Sequence, residues 1–189
     1  MRVIAGIAKG RRLFAPKGRK TRPTADRIKE SLFSIIAGEV EGVSVLDLYA
    51  GAGSLAIEAL SRGADRVVLV ESDKDAAAVI ERNLDSIGMA PRATVMQAPV
   101  NRALDQLIAG RQTFDLIFLD PPYKIDGAEL EIVLEKAAGC LNRLGLAVLE
   151  HRPDMPVLEP GGDLFLSDRR RYGDTALSFF VRCQPFGPL

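Results

Sequence analysis

The chain has 189 residues, 47% apolar and 26% charged, with 25 basic against 25 acidic side chains. That is the composition of one globular domain able to bury about two-thirds of its unfolded surface, which excludes a disordered tail and a scaffold that needs disulfides. No apolar run approaches the ~20 residues of a membrane span and no N-terminal apolar core reads as a signal peptide, so a cytoplasmic protein is expected.

The zero net charge is a sum of unlike parts. Residues 1–32 hold ten basic and two acidic side chains, a surplus of eight that the remaining residues cancel. A basic arm on an acidic body suggests a polyanion handled at one end, against the plainer reading of a solvated face. Within the arm, residues 2–7 and 12–14 read as two short strands around a Lys-Gly turn. A helix follows, with Thr24 as N-cap after Pro23 and an apolar stripe of Ile28, Leu32, Phe33 and Ile36. The chain is expected to divide into a basic extension over residues 1–40, packed on a compact catalytic unit over residues 41–189.

From residue 42 onward short apolar runs alternate with amphipathic stretches, the pattern of βαβ units around a parallel sheet. Strands are predicted over 44–48, 66–71, 93–97, 114–119 and 145–150, several too continuously apolar to have a face in water. Helices are predicted over 54–62, 73–87, 100–109 and 128–138. Residues 164–166 and 176–181 read as a terminal hairpin at one sheet edge, with the charged segment 168–174 as its turn. Cys140 and Cys183 are isolated and expected in the core rather than on a metal.

The first parallel strand runs through Asp47 into Tyr49-Ala-Gly-Ala-Gly53 and then a helix, so a glycine-rich turn lies at the end of the sheet where open α/β folds bind ligands. Glu71 ends the second strand, where a carboxylate can accept from both hydroxyls of a ribose. Together these narrow the ligand to a nucleoside-containing cofactor. Gly51-x-Gly53-x-x-Ala56 also satisfies the dinucleotide fingerprint, a weak signal when alone. Asp47 would repel a pyrophosphate but could hold an ammonium, and no basic residue flanks the turn. S-adenosylmethionine, an amino acid joined to a nucleoside without phosphate, fits better than NAD.

The fourth strand ends in Asp120-Pro121-Pro122-Tyr123. The prolines stiffen the loop and remove two N–H donors, leaving acceptors facing the site. An aromatic exocyclic amine is a poor nucleophile because its lone pair is delocalised. If the Asp120 carboxylate and the Pro121 carbonyl accept its hydrogens, the nitrogen can pyramidalise toward a sulfonium methyl. Tyr123 would stack on the base, contributing ~1–3 kcal/mol. The plainer alternative is a proline-stiffened turn with a surface tyrosine.

With these residues in place the chain resembles the bacterial 16S ribosomal RNA guanine-N2 methyltransferase family, the RsmD type, over nearly its full length. The resemblance is carried by Arg2-Val-Ile-Ala-Gly6 with Lys9-Gly-Arg-Arg12, by Thr21-Arg-Pro-Thr-Ala-Asp-Arg27 with residues 30–33, by Leu46-Asp47 through Gly53, by Glu58-Ala-Leu-Ser-Arg-Gly-Ala64, by Glu71, and by Asp120 to Tyr123. The Arg-Pro-Thr-x-Asp-Arg segment is the specific part. The resemblance implies a Rossmann-like class I methyltransferase: a mostly parallel seven-stranded sheet with a C-terminal antiparallel hairpin and a small basic N-terminal β-hairpin and helix.

It further implies S-adenosylmethionine as cofactor and N2-methylguanine in 16S ribosomal RNA as product, within the small subunit or a late assembly intermediate. By position, Asp47, Tyr49, Gly51 and Gly53 would hold the methionine end, Glu71 and Ser72 the ribose, and Asp120 to Tyr123 the target base. Arg2, Lys9, Arg11, Arg12, Arg22, Thr24 and Arg27 would meet RNA, with Thr24 and Arg27 closing over cofactor or substrate. Related enzymes often carry an acid after the third strand for the adenine amine. Here Gln97-Ala98-Pro99 stands there, and the Gln97 side chain or Ala98 backbone would substitute.

His151, the one histidine, is expected to be structural, and Arg169 to Arg171 either meet phosphate or are solvated. A monomer is expected. Three other readings share features of the chain. A DNA adenine-N6 or cytosine-N4 methyltransferase would use the same Asp120 loop but needs more chain for target recognition. An NAD-dependent oxidoreductase would leave that loop unexplained. A non-catalytic RNA-binding factor would have no need of it.

Overall fold

A computed structural model describes residues 1–16, 23–156 and 163–182, with the side chains of residues 23–25 left aside. Helix α1 is Pro23–Ile35, and β1 is Ser44–Leu48, joined by α2, Ser54–Ser61, to β2, Arg66–Glu71. Helix α3, Lys74–Ser86, leads to β3, Ala93–Gln97, and α4, Val100–Ala109, to β4, Phe114–Leu119. Helix α5, Gly127–Cys140, then passes directly into β5, Leu141–His151, and the hairpin of β6, Leu164–Tyr172, and β7, Thr175–Arg182, completes the described chain.

The seven strands form one sheet in the order β3-β2-β1-β4-β5-β7-β6. The first five are parallel, and β7 and β6 are antiparallel additions at one edge. Every residue of β1 is buried, Ser44 and Asp47 included, as a strand covered on both faces requires. Residues of β1, β2, β4 and β5 alternate between two cores. Val45, Leu69, Phe118 and Val148 pack under α1, α2 and α3, and Leu46, Val70, Leu119 and Leu149 pack under α4 and α5.

The predicted ranges 44–48, 66–71, 93–97 and 114–119 agree with β1 to β4. The fifth strand begins earlier than residue 145. Its register against β4 jumps from Phe114 opposite Leu141 to Leu116 opposite Leu146, and Leu144 takes a left-handed φ of 65° within the irregular stretch. Asn142 fills this gap, donating to Asp115 Oδ1 at 2.6 Å while Asp115 Oδ2 accepts from the Ser44 backbone and hydroxyl. The charged segment 168–172, expected in a turn, is strand: Arg169 to Tyr172 pair with β7 as far as Thr175, and the reversal is left to Gly173 and Asp174. Cys140 is buried in the core, and Cys183 lies outside the described residues.

At the N-terminus the expected pair of strands is reduced to one antiparallel bridge, Arg2 to Arg12, with the flanking chain folded onto α2 and α3. Glu58, fully buried on α2, holds it there. Its Oε2 accepts from the Ile4 N–H at 2.7 Å, and its Oε1 accepts from the Ala5 N–H at 2.9 Å and from Arg62 Nε at 2.8 Å. Ser61 receives the Ala8 N–H and donates to the Ala5 carbonyl. Gly6 passes so close, at φ 81°, that a Cβ would sit 1.8 Å from the Ser61 carbonyl oxygen, which leaves glycine as the residue that fits.

Lys29 of α1 completes the cluster. Its buried ammonium donates to the Arg2 carbonyl and to Ser54 Oγ, and stands 3.5 Å from Glu58 Oε2. Burial pulls the Lys29 pKa down and Glu58 opposes that pull. The helix begins at Pro23, a residue suited to the first helical position, so Thr24 lies in its first turn rather than at its cap, and the Thr24 side chain is outside the described set. Substituting Glu58→Gln strips two cations of their counter-charge in a sealed site, so urea titration is expected to show a loss of about 3–5 kcal/mol. An unfolding midpoint equal to wild type would mean that the cluster does not hold the arm.

Candidate active site

The site is assembled at the carboxyl ends of β1, β2, β3 and β4, where four separate loops meet. The turn after β1 reverses through three left-handed residues, Tyr49 at φ 64°, Gly51 at 59° and Gly53 at 76°. At Gly53 a Cβ would lie 3.0 Å from the Leu69 side chain of β2, so both the dihedral and the close helix–sheet approach require glycine. Tyr49 has no such freedom from strain. Its half-buried phenol is pushed up to about 12 by burial and by the negative charge of Glu129.

Asp47 is 1% exposed and accepts the Ala56 N–H at 3.1 Å, which satisfies one free donor in the first turn of α2. Burial pushes its carboxyl up to about 7, and the nearby charges of Asp120 and Glu71 add to the rise against the Ala56 hydrogen bond. Among the described residues no salt bridge reaches this carboxyl, and a ligand ammonium would supply the cation. Glu71, also buried, accepts the Gly51 N–H at 2.8 Å on Oε2 and the Asp73 N–H at 2.9 Å on Oε1. The two N–H groups fix the carboxylate's orientation while each oxygen keeps a lone pair for a diol. The Gly51 amide therefore serves Glu71 rather than pointing at a ligand.

Asp73 caps α3 through the Ala76 N–H, which sets where the Glu71 loop ends, and Ser72 is exposed beside it. Gln97 is exposed at the end of β3, and the Ala98 N–H is given to the Glu71 carbonyl at 3.1 Å, tying the third loop to the second. Asp120 follows β4, with Pro121 buried and Pro122 and Tyr123 exposed; Tyr123 is 52% accessible, a ring available for stacking. The Ile125 N–H closes the loop onto the Pro122 carbonyl at 2.9 Å.

Glu150 was not singled out from the sequence. It stands one position beyond the Leu119–Leu149 pair of β4 and β5, beside Asp120, and burial and the Asp120 charge push its carboxyl up to about 8. Sequence order hides this neighbour, because thirty residues and α5 separate it from Asp120; only the parallel register joins them. The adjacent His151 points the other way, with Nε2 2.8 Å from Ser178 Oγ and Nδ1 2.7 Å from the Arg152 carbonyl. The carbonyl demands a proton on Nδ1, so Nε2 accepts from the serine and the ring is neutral, in keeping with a pKa lowered by burial.

Of the arm residues, Arg2, Lys9, Arg11, Arg12 and Arg27 are exposed, and Arg2, Lys9 and Arg27 share one groove of about 540 Å³ with Asp26 and Glu30 on its wall. Arg11 also donates to the Ser86 carbonyl at 2.8 Å. Arg22 lies outside the described residues. In the hairpin Arg169 donates to the Pro153 and Met155 carbonyls, and Arg170 pairs with Asp168.

A seven-stranded sheet of this order, with acids at the ends of β1 and β2 and Asp-Pro-Pro-Tyr at the end of β4, defines a Rossmann-like α/β methyltransferase. A family model described as "Conserved hypothetical protein 95" matches residues 1–181. YlbH of Bacillus subtilis is 38% identical over 182 residues, covering 96% of this chain and 99% of that one. Ribosomal RNA small subunit methyltransferase D of Haemophilus influenzae is 35% identical over 173 residues, covering 89% and 88% of the two chains. The solved structure of yhhF from Escherichia coli superposes with a TM-score of 0.84 at 27% identity, over 98% of this chain and 99% of that one. The chain belongs to this family, the RsmD-type methyltransferases.

The protonation of Asp47 yields a pH test. The carboxyl ionises at 3.8 when solvated and near 7 when folded, so its contribution to stability is complete below about pH 4 and lost as pH rises through 7. A bound ammonium reverses the loss. Scanning calorimetry is expected to show S-adenosylmethionine raising Tm more at pH 8 than at pH 5.5, and Asp47→Asn is expected to remove that difference while weakening cofactor binding at least about tenfold. A ligand shift independent of pH in the wild type would separate Asp47 from the ammonium.

Proposed function

We propose that this chain transfers a methyl group from S-adenosylmethionine to the exocyclic N2 amine of a guanine in 16S ribosomal RNA. One observation carries the reading: Asp47, Asp120 and Glu71, at three neighbouring strand ends, are close enough for Asp120 and Glu71 to raise the Asp47 carboxyl. A cationic cofactor without phosphate and an amine substrate both suit such a field, whereas a pyrophosphate does not.

The residues fit the cofactor: Asp47 would take its ammonium, Glu71 and Ser72 its ribose, and Gln97 or the Ala98 backbone its adenine edge, with Tyr49, Gly51 and Gly53 shaping the turn around the methionine. When bound, S-adenosylmethionine supplies an electrophilic methyl on a sulfonium. The chain's own groups prepare the nucleophile. Asp120 and the Pro121 carbonyl accept the two amine hydrogens, which favours a tetrahedral nitrogen with its lone pair directed outward. The trans, proline-fixed loop holds these acceptors without reorganisation. Tyr123 offers a face to the extracted base, offsetting part of the few kcal/mol that unstacking costs.

Substrate specificity beyond the amine is assigned to the arm. Arg2, Lys9 and Arg12 are exposed cations on a segment anchored to α2 and α3, and Arg27 is exposed on α1, all suited to phosphates flanking the target, with Arg22 and Thr24 between them in the sequence. The relatives named for the ribosomal small subunit support 16S RNA as the polyanion. The division into a basic extension, residues 1–40, and a catalytic unit, residues 41–189, follows from these roles.

The experiment supplies labelled S-adenosylmethionine to small subunits lacking the modification, to naked 16S RNA and to DNA, and identifies the labelled nucleoside. N2-methylguanine in ribosomal RNA is expected; N6-methyladenine, or label in DNA alone, would overturn the reading. Asp120→Ala is expected to lower turnover at least about a hundredfold with cofactor affinity within a few-fold, measured by calorimetric titration. Lys9→Gln with Arg12→Gln is expected to weaken RNA binding and reduce its salt dependence, with the slope of log affinity against log salt falling by about 1–2. An unchanged slope would remove those two side chains from the RNA surface.

A further inference from the structure

Along β1 and β2, and along β4 and β5 from Leu116 and Leu146 onward, the side chains alternate between the two cores. Val45, Leu69, Phe118 and Val148 belong to the face under α1 to α3, so Asp47, Glu71, Asp120 and Glu150, each two positions further on, belong to that face as well. The strand order makes them a row: Glu71 on β2, Asp47 on β1, Asp120 after β4 and Glu150 on β5. The proposed function accounts for three. Glu71 and Asp47 mark the cofactor end, and Asp120 the reacting amine. Glu150 lies on the far side of Asp120 from the cofactor, where the ring that bears the amine must lie.

Glu150 is an unfavourable residue for mere packing. Its partner across the β5–β7 ladder is Leu177, its chain neighbours Leu149 and His151 are buried on the opposite face, and the charge it feels is the like charge of Asp120. Among the described residues it forms no salt bridge. A half-buried carboxyl with a like charge beside it costs stability that a leucine or glutamine would not. An acid here is explained by a ligand that brings a donor.

We propose that Glu150 is the specificity residue for guanine, accepting the ring N1–H while Asp120 accepts from the adjoining N2 amine. This rests on the guanine-N2 reading above and deepens it. The chemistry of the bases selects the residue. Guanine alone among the amine-bearing bases carries an N–H donor next to its exocyclic amine; adenine and cytosine present an unprotonated ring nitrogen at the corresponding place. An ionised carboxylate beside Asp120 therefore matches guanine and opposes the lone pair of the other two, so discrimination comes from an unmatched, half-buried acceptor as much as from the pair formed. Burial and the Asp120 charge favour the protonated carboxyl, so selection against the other two bases is the work of the ionised form, which the arriving N1–H stabilises as the proton leaves to solvent.

The test replaces the target guanine by 2-aminopurine, which keeps the C2 amine but has an unprotonated N1. RNA carrying either base is assembled into small subunits and kcat/KM is measured for wild type, Glu150→Ala and Glu150→Gln. Wild type is expected to prefer guanine strongly. The alanine variant is expected to narrow the guanine to 2-aminopurine ratio at least about tenfold, and the glutamine variant, whose amide can donate to N1, to gain activity on 2-aminopurine in absolute terms. A ratio unmoved in both variants, with or without a general loss of turnover, would overturn the role of Glu150 and leave the guanine-N2 reading intact. Failure of the wild type to label guanine N2 at all would overturn the underlying reading instead.

Discussion

The N-terminal arm is fastened to α2 and α1 through a buried carboxylate. Glu58 sits on α2 with no exposed surface, yet it receives two backbone amides from the N-terminal arm, the guanidinium of Arg62 at the helix C-cap and the ammonium of Lys29 from α1. A buried charge is tolerated when it is paired and fully hydrogen-bonded, and the arm supplies part of that satisfaction. Among the described residues the arm has one β-bridge of its own, and the rest of its fastening comes from α2 and α3. Arg62 adds a second contribution by lying 4.8 Å over the Phe33 ring, which in turn meets Phe118 of β4.

That anchoring reaches the glycine turn after β1. Lys29 bonds the Arg2 carbonyl of the arm and also the Ser54 hydroxyl at the start of α2. Asn83 of α3 does the same on the other side: its Oδ1 accepts the Phe14 N–H, and its Nδ2 donates to the carbonyls of Phe14 and Ala52. Arg82 stacks on the Phe14 ring at 3.6 Å, so the arm's exit is packed as well as hydrogen-bonded. The segment proposed to meet RNA and the glycine turn proposed to hold the methionine end are thus held by the same two side chains.

Much of the sheet was legible because buried parallel strands have little compositional freedom. The runs that became β1, β2 and β4 are almost wholly apolar and end at Asp, Glu or Tyr, so their limits could be read to the residue. Where the reading and the structure differ, a long-range pairing decides. The segment Asp168 to Arg171 looks like a solvated turn, but as an edge strand it needs only one partner, and its charges can point outward while its backbone pairs with β7. The early start of β5 depends on Asn142 reaching Asp115, a contact that no local pattern announces. Glu58, Lys29 and Asn83 carry ordinary helix-surface residue types, and their burial follows only from the arm lying across them.

Residue order alone determined the alternating α/β architecture, the glycine turn after the first strand, the acids ending the first two strands and the Asp-Pro-Pro-Tyr loop, because each is a local matter of side-chain period, backbone freedom or proline stiffness. Tertiary structure decided which carboxyls share one field. Parallel register sets Glu150 beside Asp120 although α5 separates them in the chain, and the charges of Glu71 and Asp120 reach Asp47 only across strands. Charge interactions act through space over a few ångströms, so the sequence could name the acids while the sheet alone could make them neighbours.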